Sequence, residues 1–258
     1  MANAIIEFYQ RQFSKEGDPT DFSMLDNVPA MVTMEQNLEL CRFPTLEEEV
    51  ICYDIHNIVL HFFGGASLPK SITHTNLVLL PKKPRVQIFS VLRPIRLSNF
   101  INKVISRVIY DRLEKFLPNY ISPNQSGFVK GRSIFENILL TQEIVTDIRM
   151  RDKPANMVIK LDMTKAYDRV LWKYLMFLQV YKRVKQGDPL SPTFFILSAE
   201  VLSRSLNKLF EDNFFIGFGM PKWSDPLNHL AYADDTIIFA LAHPPSLSKI
   251  MAVLGGYE

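Results

Sequence analysis

Cysteine is nearly absent from this chain of 258 residues: it has two, Cys41 and Cys52, and neither stands at metal-ligand spacing. That argues against a cysteine-built metal centre and fits a reducing compartment or chance. The five histidines are scattered, and His56 and His61 have no matching ligand pair. No apolar run is long enough to span a bilayer, and no signal-peptide pattern is seen, so no membrane partner is expected. Repeats and low-complexity tracts are missing as well. So is the regular strand–helix alternation of a doubly wound parallel fold. What remains is an ordinary globular composition, 47% hydrophobic and 22% charged, enough for a real core in one large domain or two small ones.

The net charge of +2 hides a segregation. Residues 1–69 hold three Lys/Arg against eleven Asp/Glu, a net of −8; residues 70–132 hold twelve against two, a net of +10. Residues 133–258 hold fourteen of each. A basic block of that density reads as a nucleic-acid footprint that binds phosphate without reading sequence. The plainer alternative is a solvated basic face.

Hydrophobic periodicity gives a coarse element map. Helix is expected over residues 3–14 and within 45–63. The second has Thr45 and Glu48 at capping-box spacing and Gly64-Gly65 as its stop. Asn76–Leu80 reads as a strand halted by Pro81. Residues 99–117 form the clearest helix. Ile101, Val104, Ile105, Val108, Ile109, Leu113 and Phe116 make its apolar stripe, Ser98 is the expected N-cap, and Lys103, Arg107 and Lys115 lie off the stripe. A helix over 134–149 should turn Ile134, Ile138, Leu139 and Val145 inward. Ser191-Pro192 starts another, running to about Phe210 and burying Phe195, Leu197, Val201, Leu202 and Leu206 against a sheet.

Two acidic sites stand out. Tyr232-Ala233-Asp234-Asp235 lies between two short apolar runs that read as strands, so the pair sits at a hairpin tip. A solvated Asp-Asp turn would look the same, since Asp favours turns anyway. Upstream, Met157–Leu161 reads as a strand ending at Asp162. Two carboxylate sites at strand ends suit two-metal chemistry, in which ions about 3.5–4 Å apart clamp the attacking and leaving oxygens of a phosphoryl displacement. Asp162 could equally be an N-cap, and Asp168 reads best as a first-turn residue favoured by the helix dipole.

These residues resemble a family. Lys160-Leu161-Asp162-Met163-Thr164-Lys165-Ala166-Tyr167-Asp168-Arg169-Val170 is similar to the first catalytic motif of the non-LTR (LINE-type) retrotransposon reverse transcriptases. Gln186-Gly187-Asp188-Pro189-Leu190-Ser191-Pro192 resembles the second, and Tyr232–Asp235 the Y-x-D-D hairpin. Arg93-Pro94-Ile95 resembles a fingers motif, and Gln125-Ser126-Gly127-Phe128-Val129-Lys130-Gly131-Arg132-Ser133 the block after it. All five occur in family order, with plant-type elements the nearest match.

The resemblance implies an RNA-directed DNA polymerase with Asp162, Asp234 and Asp235 as metal-binding catalytic carboxylates. It implies two Mg²⁺ ions, with Mn²⁺ as a substitute, and RNA template, DNA primer and deoxynucleotide triphosphates as partners. Tyr167 falls at the aromatic position whose ring excludes a 2′-hydroxyl, although an ordinary buried helix aromatic would read the same. Gln186 and Gly187 match the loop along template and base, and Arg93 a residue on the nucleotide's phosphates. Lys103, Arg107, Lys130 and Arg132 are the expected nucleic-acid contacts. The implied fold class is α+β: right-hand fingers and palm, helices on a small antiparallel sheet, no thumb. The implied site of action is intracellular and nuclear.

Departures from the family pattern set further expectations. A Gly-Pro-Asp-Gly-like segment is missing near Glu49, and only Leu178–Val184 separates the first-motif helix from Gln186. Asp162 and Asp234 lie 72 residues apart, which is short for the family. The expected organisation is an acidic connector with partial fingers over 1–69, fingers and palm over 70–240, and a truncated palm remainder over 241–258. An open sheet edge is expected where palm strands are lost. The alternative to a working polymerase is a non-catalytic nucleic-acid-binding remnant of the same element.

Overall fold

The computed structural model describes residues 27, 32–44, 53–66, 69, 72, 74–84, 92–146, 148, 155–162, 189–220 and 224–257. The expected helix over 3–14 and the cap residues Thr45 and Glu48 lie outside them. The chain divides into two compact units, one containing Val32–Lys115 and the other Phe116–Gln179 and Pro192–Glu258.

In the first unit the order is α1 (Met34–Cys41), α2 (Tyr53–Phe63), β1 (Thr75–Pro81), β2 (Leu92–Ser98) and α3 (Phe100–Leu113). Thr33 and Gln36 close a reciprocal capping box on α1, satisfying two backbone donors that a helix start leaves open. Helix α2 stops at Gly64-Gly65 as expected. Ala66 N–H reaches His61 O and Gly65 N–H reaches Phe62 O, both at 3.0 Å, with Gly65 at φ 85°. This is the glycine-dependent Schellman closure. Strands β1 and β2 pair antiparallel, Val78 opposite Ile95 and Leu80 opposite Arg93.

Helix α3 buries Val104, Ile105, Val108, Ile109 and Leu113, the stripe the spacing predicts. Its N-cap is Asn99, not Ser98: Asn99 Oδ1 accepts from Ile101 N–H at 3.2 Å. Ser98 is still the last residue of β2, so its backbone is committed to the strand. Arg112 of α3 is buried and ties the unit together. Its Nη1 donates to Leu40 O at 2.9 Å and Arg42 O at 2.7 Å, serving carbonyls at the end of α1. Its guanidinium lies 4.8 Å from the ring centre of Phe63.

The second unit runs α4 (Leu117–Tyr120), α5 (Ile134–Thr146), β3 (Asn156–Asp162), α6 (Ser191–Lys208), β4 (His229–Tyr232), β5 (Asp235–Leu241) and α7 (Pro244–Tyr257). The three strands form one antiparallel sheet in the order β3-β5-β4. Side chains alternate faces along a strand, and both faces are used. Ile238 and Ala240 pack with Val201, Leu202 and Leu206 of α6 and with Ile250 and Tyr257 of α7. Phe239 and Leu230 pack the other way, with Ile144 of α5. Each fully buried large apolar side chain contributes about 1.5–3 kcal/mol. The expected backing of the hairpin by the 191–210 helix is therefore present, and the observed architecture is α+β.

One sequence expectation fails in this unit. Helix α5 leaves Ile134, Ile138, Leu139 and Val145 exposed and buries Ile144. Apolar and polar residues are interspersed around the helix, so apolarity does not choose its inward face; Asn137, Thr141 and Ile144 do. The β4 edge of the sheet is covered. Ser126 N–H donates to Ala231 O at 3.1 Å and Ala231 N–H to Asn124 O at 2.9 Å, adding a short parallel bridge. Helix α7 lies within the stretch 241–258 that the sequence reading assigns to the palm remainder. Among the described residues no helix is long and apolar enough to cross a membrane.

Candidate active site

The register pairs Tyr232 with Asp235, so β4 and β5 are joined by only Ala233 and Asp234. Two-residue hairpin turns demand positive φ at the first or both loop positions, which glycine or asparagine usually supplies. Ala233 takes φ 64°, a conformation that costs a residue with a Cβ roughly 1–2 kcal/mol. Asp234 is exposed at the tip and Asp235 half-buried at the start of β5. Across the ladder, Asp162 at the end of β3 is the register partner of Asp235. Three acidic residues from two distant segments thus meet at one end of the sheet, as the sequence motifs require.

Directly opposed acidic positions are destabilising unless something positive intervenes. Lys160 Nζ reaches Asp235 Oδ1 at 3.3 Å, but the side chains are 62% and 47% exposed, and such a pair contributes at most about 1 kcal/mol. A divalent cation would neutralise the cluster far better, and carboxylate oxygens are the donors Mg²⁺ prefers. Among the described side chains no group of three His, Cys, Asp or Glu forms a cage. The donor set still fits Mg²⁺, which commonly takes one or two carboxylates and completes its shell with water and substrate phosphates.

The strained turn is held by the segment before α5. Gln125 is 2% exposed; its Oε1 accepts from Ala233 N–H at 2.9 Å and from Gly127 N–H at 2.8 Å. Its Nε2 donates to Ala233 O at 3.2 Å. The two backbones touch so closely that a Cβ at Gly127 would lie 2.5 Å from Ala233 N and 2.9 Å from its Cα. Only glycine permits that approach. The sequence block Gln125–Ser133 was visible as a motif, yet nothing in it announced that Gln125 and Gly127 grip the hairpin; the glycine was the available signal.

Arg132, expected to contact nucleic acid, donates to four backbone carbonyls: Ser122 O at 2.6 Å, Gln125 O at 2.8 Å, Pro118 O at 3.0 Å and Ile121 O at 2.6 Å. It staples the loop that carries Gln125. Asn137 Nδ2 adds a bond to Asn124 O at 3.1 Å. Tyr232 Oη donates to Asn137 O at 2.9 Å and bonds Thr141 Oγ1; burial raises its pKa above the usual phenol value.

Behind the hairpin runs a buried polar chain. His229 Nδ1 meets Asn228 Oδ1 at 2.6 Å and its Nε2 meets Ser203 Oγ at 2.7 Å. Ser203 Oγ lies 2.6 Å from Ser122 Oγ. Ser122 donates through N–H and Oγ to Glu200 Oε2 at 2.9 and 3.0 Å, and Arg204 pairs with Glu200 Oε1 at 2.7 Å. Burial outweighs these partners and raises the Glu200 pKa. Burial drives the His229 pKa down to about 3, so the ring is neutral at physiological pH. Gln125, Glu200, Ser203, His229, Ala231 and Ala233 line a cavity of about 10 Å³, room for about one water molecule.

The other sequence-predicted residues belong to the first unit, to the loop before α5, or to stretches outside the described residues. Arg93 is on β2, while Lys103 and Arg107 are exposed on α3, all in the first unit. Arg107 is paired with Asp111 at 2.9 Å, which raises its pKa. Lys130 is exposed in the loop before α5. Tyr167, Asp168, Gln186 and Gly187 lie outside the described residues, and Asp162 is described through its backbone.

Comparison with known proteins bears on this geometry. The family described as reverse transcriptase (RNA-dependent DNA polymerase) matches residues 80–178, a span that includes Arg93, the Gln125 block and Asp162 and ends before Asp234. An uncharacterized 149 kDa protein of transposon TX1 from Xenopus laevis is 35% identical over 129 residues, 50% of this chain and 10% of that protein. The Pol polyprotein of the type-1 retrotransposable element R2 from Nasonia vitripennis is 24% identical over 224 residues, 72% of this chain and 21% of its own length. An uncharacterized mitochondrial protein of Arabidopsis thaliana is 45% identical over 53 residues, 20% of this chain and 43% of that protein. The chain therefore spans less than half the length of each of these relatives.

Proposed function

With a reverse transcriptase domain of the non-LTR, LINE type present in this chain, we propose that its carboxylate cluster carries RNA-directed nucleotidyl transfer, adding deoxynucleotides to a primer on an RNA template. The observation that carries this reading is the register pairing of Asp162 with Asp235, beside Asp234 at the hairpin tip. Asp162, Asp234 and Asp235 would hold two Mg²⁺ ions, or Mn²⁺ in their place. Bound there, the ions supply neutralisation of charge on the phosphoryl oxygens.

The chain's own residues do the positioning, which dominates phosphoryl transfer. The hairpin turn presents Asp234 outward to the substrate side, and Asp235 anchors the start of β5 with Lys160 as its counter-charge. Tyr167 would exclude a ribose 2′-hydroxyl by its bulk. Gln186 and Gly187 would lie along template and base, and Arg93 would take the nucleotide's phosphates. Lys103, Arg107 and Lys130 would contact the nucleic-acid backbone, with Arg132 holding the loop that carries Gln125. In this reading residues 1–69 are connector and partial fingers, 70–240 fingers and palm, and 241–258 the palm remainder of an element of plant type.

Mg²⁺-dependent primer extension on an RNA template tests the proposal, with Asp234→Ala as the control. Extension by the native chain that the substitution abolishes is the expected result. Extension indifferent to Asp234, or none from a folded preparation that still binds template–primer, rejects it in favour of a nucleic-acid-binding remnant.

A further inference from the structure

We propose that Gln125 is a positioning residue for the nucleotidyl-transfer site, whose side-chain amide enforces the left-handed turn at Ala233 and thereby aims Asp234. The inference rests on the polymerase reading of the carboxylates. Its geometric basis lies wholly within the second unit.

Ala233 is an L-residue in a backbone region that favours glycine, at φ 64°. Left alone, such a residue relaxes toward negative φ, and the peptide planes on either side rotate with it. Those planes set the direction of Asp234, the next residue. Gln125 blocks that relaxation by holding both polar groups of Ala233: Oε1 takes its N–H at 2.9 Å and Nε2 gives to its carbonyl at 3.2 Å. A planar amide that satisfies donor and acceptor of one residue fixes the φ and ψ between them.

The clamp is itself immobilised. Oε1 is shared with Gly127 N–H at 2.8 Å, Arg132 holds Gln125 O at 2.8 Å, and Ser126 N–H is bonded to Ala231 O at 3.1 Å. Gly127 lies against the Ala233 backbone where a Cβ would be 2.5 Å from its nitrogen, so the turn cannot move toward it. The result is a turn whose strain is stored rather than released, a recurring property of residues that present reacting groups. A merely structural glutamine would need neither bond to Ala233, since Ser126 already secures the β4 edge.

The test compares native protein with Asp234→Ala, Gln125→Ala, Gln125→Glu, Ala233→Gly and the Gln125→Ala/Ala233→Gly double variant. Three quantities are read: Mn²⁺ affinity by electron paramagnetic resonance, kcat and KM for primer extension, and the thermal unfolding midpoint. Loss of a group that orients a metal ligand typically costs about 10- to 100-fold in affinity or activity. Gln125→Ala should lose that much in kcat and in Mn²⁺ affinity with template–primer binding unchanged. Gln125→Glu, which keeps the acceptor and loses the donor, should fall between. Ala233→Gly in the Gln125→Ala background should recover part of both losses, because glycine holds positive φ without help.

Unchanged Mn²⁺ affinity in Gln125→Ala overturns the proposal. So does a loss that only follows the unfolding midpoint and that Ala233→Gly fails to restore. Mn²⁺ binding and extension both indifferent to Asp234→Ala sink the polymerase reading itself. Asp234-dependent binding that ignores Gln125 sinks the clamp alone, even in a chain that extends no primer.

Discussion

Ala233 and His229, four residues apart on one hairpin, are both held in a single state by their surroundings. Ala233 keeps a Cβ at positive φ, and His229, 1% exposed, is kept neutral by burial with its pKa near 3. A histidine whose folded pKa is depressed contributes stability that is complete above its unfolded pKa of about 6.5 and is lost as pH falls toward the folded value. The unfolding midpoint is therefore expected to drop between pH 7 and pH 4, and His229→Gln should flatten that slope. Glu200 works against it: its raised pKa means the folded state binds that proton more tightly, which favours folding in acid. Glu200→Gln should steepen the acid loss. Thermal melts across that range check both, and a slope indifferent to His229 would show that the ring titrates normally.

At the scale of elements, the β4–β5 hairpin is three structures in one: a ladder to β3, an edge covered by residues 124–126, and a tip gripped by Gln125. The cover depends on a staple of Arg132, whose guanidinium serves four carbonyls between Pro118 and Gln125. Lysine keeps the charge but cannot reproduce a planar fork. Arg132→Lys is expected to destabilise by about 2 kcal/mol or more, since charged hydrogen bonds contribute about 1.5–3 kcal/mol each and buried carbonyls would be orphaned. Denaturant titration measures this. A variant of unchanged stability that binds template–primer more weakly would instead return Arg132 to the role its charge suggests. Helix α5 shows the limit of periodicity at this scale. Its inward side is chosen by Asn137 and Thr141 bonding Tyr232, polar contacts that a hydrophobic pattern does not register.

For the whole molecule, the sequence segregates charge so that residues 70–132 carry a net of +10. Phosphate binding of that kind releases counterions, so affinity falls steeply with salt. Template–primer affinity is expected to fall by about 10³-fold or more between 50 and 200 mM salt if six or more phosphates are engaged. A filter-binding series at several salt concentrations measures it, and a flat response would mean that the basic residues face only solvent. The count is tempered by the fold: Arg112 and Arg132 spend their guanidinium groups on backbone carbonyls, so fewer cations are available than the composition suggests.

The sequence alone determined the α+β class, the strands bearing Asp162 and Asp235, the hairpin, the stripe of α3 and the glycine stop of α2. Each rests on a local signal: a period, a turn residue, or a motif whose order is itself information. Only the tertiary structure decided which face of α5 turns inward, that Asn99 rather than Ser98 caps α3, and that residues 124–126 cover the β4 edge. It also decided that Gln125 grips Ala233 at a separation of 108 positions along the chain. Those outcomes follow from long-range satisfaction of backbone polar groups. Such groups are identical at every residue, so the sequence carries no local mark of which will meet.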